Sequence, residues 1–284
     1  MPQQFLEFQQ QVEAVKTRYM AGEISEIERN DFIRQMNYHD TAWDDVWMLS
    51  PKGEWFRKAT GSKVWIRDYP IALIDPDTLP PITEMNAHQV ARVVHDCTRC
   101  GLHEGRKRAV PGEGPVPADI MLIGEGPGAT EDQQARPFVG ASGKFLDELL
   151  AQAGYKRAEV FIGNVVKCRP PNNRDPQPDE LAACKEYLDR QVELVQPKVI
   201  VTLGRFSMYR YFPGASITKI HGQSKRVGDT LIVPMFHPAA ALRNPAWRAL
   251  LIEDFQKLPA LVKEATSFRQ PEPPAVNTTQ LSMF

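Results

Sequence analysis

Apolar and polar positions keep three different rhythms along the chain, and each predicts a different kind of element. From Phe5 to Met20 apolar residues recur every three or four positions, which predicts a helix stopping at Gly22. In GEISEIERNDFIRQM, Ser25 precedes Glu28 by three residues, the capping-box pattern of a helix start. Ile24, Ile27, Phe32 and Ile33 follow at helical spacing. The rhythm then shortens to the alternating runs VWML, EWFR and KVWI, separated by PKG and TGS turns. Residues 1–69 therefore read as a small α+β module: a helical hairpin, then a three-stranded antiparallel meander ending near Tyr69. Trp43, Trp47, Trp55 and Trp65 fall within it and are expected to fill its core.

Residues 70–84 hold four prolines and predict a semi-rigid linker. Beyond it comes a third rhythm. DIMLIGE, EVFIGNVV, KVIVTLG and TLIVPMF are short continuous apolar runs rich in Ile and Val, as in parallel strands buried on both faces. Helices are expected between them: SGKFLDELLAQAG from an N-cap Ser142, and PDELAACKEYLDRQVELVQP with Pro178 at its first position. WRALLIEDFQKLPALVKEA closes the domain. The pattern predicts a three-layer α/β/α sandwich on a four-stranded parallel sheet over residues 85–266. The tail, 267–284, is polar and Pro-rich and is expected to be disordered.

Charge sharpens this division. Residues 1–90 carry 9 Lys and Arg against 14 Asp and Glu, whereas residues 155–230 carry 13 against 8. A basic middle is compatible with a DNA-facing surface, since phosphate contacts depend on local charge. No apolar run reaches membrane-spanning length and the first residues lack a signal peptide, so the expectation is a cytoplasmic protein. In that compartment the four cysteines, Cys97, Cys100, Cys168 and Cys184, read as a four-thiolate metal or cluster site. Spacing alone leaves zinc and [4Fe–4S] both open.

In a parallel sheet the chemistry gathers beyond the carboxyl ends of the strands. These strands end in Glu125, Asn164, Gly204 and His237, which would bring a carboxylate, an amide and an imidazole to one crevice. Here the segments GEGPGATEDQQARPFVG, NVVKCRPPNNR, ITKIHG and HPAAALRNP resemble the motifs of family 4 uracil-DNA glycosylases, from about His88 to Lys263. The resemblance implies hydrolysis of the bond between uracil and deoxyribose, with an abasic site as product.

It also implies roles. Gly124 and Gly126 belong to a tight turn against the flipped nucleotide. Phe138 stacks on uracil, and Asn164 reads its Watson–Crick edge. His237 donates to O2 as charge gathers on the leaving base. Glu125 orients water or stabilises the cationic sugar, and Glu131 gives electrostatic support. The four cysteines match the family's cluster positions, which favours [4Fe–4S] over zinc. Lys167, Arg169, Arg174, Lys219, Lys225, Arg226 and Arg243 are candidate phosphate contacts in loops on one side of the sheet, and His221 is a DNA or pocket-wall contact. Ala135 stands where the family more often has glycine. The partner is uracil-containing DNA, bound by a monomer. Gln280, Leu281, Met283 and Phe284 resemble a peptide that docks on the replication sliding clamp.

Overall fold

A computed structural model describes residues 2–40, 45–50, 52, 54–59, 66–67, 74 and 76–268. The chain divides into two compact units, 1–97 and 98–284.

In the first unit, α1 (Pro2–Met20) and α2 (Glu26–Gln35) form the expected hairpin. Gly22 adopts φ +72°, a left-handed conformation that glycine takes without strain, and closes α1. The capping box is made: Glu28 N–H donates to Ser25 Oγ at 3.2 Å, and Ser25 N–H donates to the Glu28 carboxylate at 2.8 Å. An antiparallel sheet follows in the order β1 (Tyr38–Asp40), β2 (Asp45–Leu49), β3 (Trp55–Ala59), β4 (Ile66–Arg67). It has four strands rather than three. The extra one, β1, is a short polar edge strand with no apolar alternation to announce it. Phe5, Phe8, Val12, Ile33, Leu49, Trp47 and Trp55 make the core, with the Phe5 ring edge-on to both indoles at 5.6 and 5.9 Å. Trp47 and Trp55 thus fill the core as expected. Trp43 and Trp65 lie outside the described residues, as do residues 70–73 and 75 of the linker, in whose remainder short turns occupy Pro76–Thr78 and Ile82–Glu84. Helix α3 (Ala87–His95), capped by Asn86, completes this unit.

The second unit runs α4 (Leu102–Gly105), β5 (Ile120–Gly124), α5 (Ala129–Gln134), α6 (Ala141–Gln152), β6 (Phe161–Asn164), α7 (Pro178–Val195), β7 (Val199–Leu203), α8 (Arg205–Tyr209), α9 (Ile217–Ile220), β8 (Lys225–Val227), β9 (Thr230–Met235), α10 (Pro238–Arg243), α11 (Pro245–Gln256) and α12 (Leu258–Phe268). The sheet order is β6-β5-β7-β9-β8. The four predicted strands are parallel, and β8 joins the edge antiparallel to β9. Ile120, Leu122, Val199, Val201, Leu231 and Val233 pack with Leu146 and Leu149 of α6 and Phe255 of α11. Met121, Ile123, Ile200 and Ile232 pack with Leu188 and Val195 of α7 on the other face. Both faces are covered, so the three layers follow. Each such side chain contributes about 1.5–3 kcal/mol by leaving water.

Two helix boundaries differ from expectation. Gly140, not Ser142, caps α6, because the Glu131 carboxylate already meets the amides at that turn. The closing helical segment breaks after Gln256, where Pro259 has no N–H to continue the ladder. Among the described residues no helix is long and apolar enough to cross a membrane.

Candidate active site

Parallel register sets the last residues of β5 and β6 side by side, Gly124 against Asn164. A Cβ on Gly124 would stand 2.5 Å from Asn164 Oδ1 and 2.6 Å from Phe138 Cζ. Only a residue without a side chain lets the amide and the ring close over this strand end. Asn164 is 1% exposed, and its Oδ1 is buried without a hydrogen-bond partner. An orphaned buried acceptor costs about 1–3 kcal/mol. Gly126, next in the turn, is half-buried against Val166.

Phe138 sits at φ +49°, left-handed for a residue with a Cβ. Its buried ring stacks on the His237 imidazole, with centroids 5.5 Å apart and planes inclined 29°. His237 follows β9 and caps α10, and the Ala239 N–H donates to Nδ1 at 3.1 Å. Burial, helped by the positive Arg243, pushes the imidazole down to about 4, while Glu131 acts weakly the other way. His237 is therefore neutral near pH 7. Since Nδ1 accepts, its proton is on Nε2, which is left as a donor.

Glu125, the residue after β5, accepts the Phe206 N–H at 3.3 Å. Burial nonetheless raises its carboxyl above the usual range, outweighing the amides of Phe206 and Arg205 and the Arg205 charge. Gly204, at φ +94°, makes room: a Cβ there would lie 2.5 Å from Glu125 Oε1. Glu131 is differently placed. Its Oε1 accepts from Val139 and Gly140 N–H, both at 2.8 Å, and so secures the loop that carries Phe138. Ala135 ends α5 at φ +53°, a conformation glycine takes freely.

Cys168 and Cys184 are buried, and Cys100 is half-buried. Arg106 Nη1 donates to Cys168 Sγ at 2.9 Å. Burial pushes the Cys184 thiol up to about 11, opposed by the backbone N–H and charge of Lys167, with Cys168 and Cys100 close enough to add to the rise. Soft sulfur donors met by N–H groups and cations suit a thiolate-bound metal or cluster. Among the described residues, however, no three His, Cys, Asp or Glu side chains stand together at metal-holding distance.

The cationic candidates divide. Lys167 is corrected: it is fully buried, with Nζ donating to Asn164 O at 2.9 Å and to Gln191 Oε1 at 2.6 Å, so no phosphate reaches it. Lys225 and Arg226 lie on exposed β8 rather than in a loop. Arg174 is exposed but forked onto Glu180, and Arg169 donates to Asn173. Lys219 and Arg243 are exposed. His221 Nδ1 lies 2.7 Å from the buried Asp254, and its ring leans on Phe236 at 4.8 Å. Residues 280–284 lie outside the described residues. Sequence reasoning missed Arg205, although the rule that found Gly204 at a strand end points one residue further.

A buried amide, an apolar ring and a neutral imidazole donor at the carboxyl end of one sheet suit a hydrolase that grips a planar base. The pattern of the uracil DNA glycosylase superfamily matches residues 111–258. The chain is 48% identical over 180 residues to the type-4 uracil-DNA glycosylase of Sulfurisphaera tokodaii, covering 60% of this chain and 82% of that protein. To the type-4 enzyme of Thermotoga maritima it is 44% identical over 180 residues, covering 62% and 94%. A type-5 uracil-DNA glycosylase of Thermus thermophilus is 36% identical over 129 residues, covering 37% and 58%. The chain belongs to the type-4 uracil-DNA glycosylases.

Proposed function

We propose that Asn164, Phe138, His237 and Glu125 together hydrolyse the N-glycosidic bond of flipped-out uracil in DNA, leaving an abasic site and initiating base excision repair. The observation that carries these roles is the unpartnered, buried Oδ1 of Asn164 beside the Phe138 ring. That oxygen accepts uracil N3–H while the side-chain NH2 donates to O4. Cytosine offers an acceptor at N3 and a donor at the neighbouring position, which would leave both buried groups unpaired. Phe138 stacks on the base. His237 Nε2–H meets O2, where negative charge collects as the bond breaks. A neutral donor serves because its environment is already too dry for an imidazolium. Glu125 faces the electron-poor sugar or orients the attacking water, and Glu131 supports the site through the loop it holds. Such cleavage needs no protein nucleophile. Incubation with a uracil-containing oligonucleotide, single- or double-stranded, should release uracil and leave an alkali-labile strand. No uracil release by anaerobically purified protein would overturn the proposal.

Cys97, Cys100, Cys168 and Cys184 would hold a [4Fe–4S] cluster, the N–H and cationic surroundings of Cys168 and Cys184 being the support. Bound there, the cluster would supply a cross-link between the C-x-x-C segment, the loop after β6 and α7, since base hydrolysis transfers no electrons. About four irons per chain are expected; zinc without iron would reject the cluster. Arg169, Arg174, Lys219, Lys225, Arg226 and Arg243 contact phosphates, with His221 as a DNA or pocket-wall contact. The C-terminal Gln280, Leu281, Met283 and Phe284 dock on the sliding clamp of replication. Deleting 280–284 should abolish clamp binding and leave oligonucleotide cleavage intact; equal clamp affinity without the tail ends the idea.

A further inference from the structure

Glu131 holds the loop only from the Val139 and Gly140 amides, on the far side of Phe138. Two peptide groups set its φ and ψ, those joining it to Pro137 and to Val139. Arg157, in the turn before β6, donates from Nη2 to Pro137 O at 2.5 Å and from Nη1 to Phe138 O at 2.9 Å. The peptide after Phe138 is also held at its other end, because Val139 N–H donates to Glu131. Arg157 is itself held: Nε donates to Glu113 Oε1 at 3.3 Å and Nη1 to Asp147 Oδ1 at 3.2 Å. Glu113 in turn forks onto Arg136, the residue before Pro137, at 2.6 and 2.7 Å. One guanidinium thus ties two successive carbonyls to an ion-pair network, an arrangement for which its planar fork of donors is suited and a lysine ammonium is not.

We propose that Arg157 is a positioning residue for the base-stacking ring. It fixes the two peptide planes that aim Phe138, and so sets the slot into which uracil slides. This rests on the assignment of Phe138 as the stacking ring. Arg157 also stands just before β6, the strand that ends in Asn164, so one stretch of chain orients both the ring and the base reader.

The test compares Arg157→Ala, Arg157→Lys and Phe138→Ala in the full chain by three measurements: single-turnover excision rate, inhibition by free uracil, and affinity for DNA bearing a tetrahydrofuran abasic site. A small misplacement of a reacting group costs on the order of 10²-fold in rate. Arg157→Ala is expected to lose about that much rate, to weaken free-uracil inhibition with it, and to bind abasic DNA as wild type does. Arg157→Lys should stay defective in the same two measurements, and it decides the matter if the alanine variant does not fold. Wild-type rate and uracil inhibition in the folded Arg157 variants, with Phe138→Ala defective, would overturn this proposal alone. Equal losses on all three measurements would also overturn it, since that marks general damage. Wild-type behaviour of Phe138→Ala would instead overturn the stacking assignment, and this inference with it.

Discussion

The interior of the parallel sheet and its carboxyl-end rim lie on the same strands, yet they obey different rules. In the interior, β5, β6 and β7 are buried at every position, apolar side chains cover both faces, and Thr202 is a polar exception. At the rim, where β6 ends in Asn164 and the loop between α5 and α6 brings in Phe138, Asn164 keeps a buried oxygen without a partner and Phe138 holds a left-handed backbone. Burial there drives Glu125 up and His237 down. Each rim feature costs stability, and each is one that the proposed excision uses. Strain and unsatisfied polar groups persist where surrounding structure over-determines them, and the sheet interior is that structure.

Substitutions on each side of this line should therefore fail in different ways. Asn164→Asp should have the largest effect. It replaces the donor to O4 with an acceptor, and a site that mispairs a buried polar edge discriminates by about 10⁴-fold. Single-turnover excision of uracil should fall by that order, and slight activity on cytosine is expected. Unchanged uracil excision would remove Asn164 as the base reader. Leu149→Ala, in the interior on α6, should cost about 2–5 kcal/mol in a denaturant titration, while the folded fraction cuts at the wild-type rate. A rate defect there would blur the division between interior and rim. His237→Ala should lose about 2.7–4 kcal/mol of transition-state stabilisation, as for one oxyanion donor; product forming at the wild-type single-turnover rate would void its assignment.

The same line separates what was legible in the sequence from what was not. Four strands were readable because strands buried on both faces appear as unbroken apolar runs. The edge strands β1 and β8 are short and polar, and carry no such mark. Glu125, Asn164 and His237 were readable from topology, each following or ending a parallel strand. Phe138 and Glu131 came from the family resemblance, which did not disclose that Glu131 holds two loop amides. Lys167 misled because a lysine ordinarily belongs to the surface. Its buried partner is Gln191, 24 residues away on α7. Arg157 and Glu113 were silent for the same reason, meeting across 44 residues of chain. Pairings of that range depend on how helices cover the sheet, and local pattern does not encode them.

The smallest expected effect is also the sharpest test of the contrast, because its sign runs against ordinary mutational experience. Burial raises the Glu125 carboxyl above its ordinary 4.5, so the folded state holds that proton more tightly than the unfolded one. Stability from this group is then present below 4.5 and is lost as pH rises through the folded value. His237 behaves oppositely. Depressed from 6.5 to about 4, it contributes stability above 6.5 that is lost as pH falls toward 4. Glu125→Gln keeps an oxygen to accept the Phe206 N–H and removes the charge. It should melt higher than wild type at pH 8, with the difference vanishing as pH is lowered past 4.5, while excision falls by about 10²-fold or more. Melting curves and single-turnover rates from pH 4 to 8 measure both. A Glu125→Gln protein less stable than wild type at pH 8, or a stability difference independent of pH, would mean that the Glu125 carboxylate is no burden on the fold and that the rim is not strained there for function.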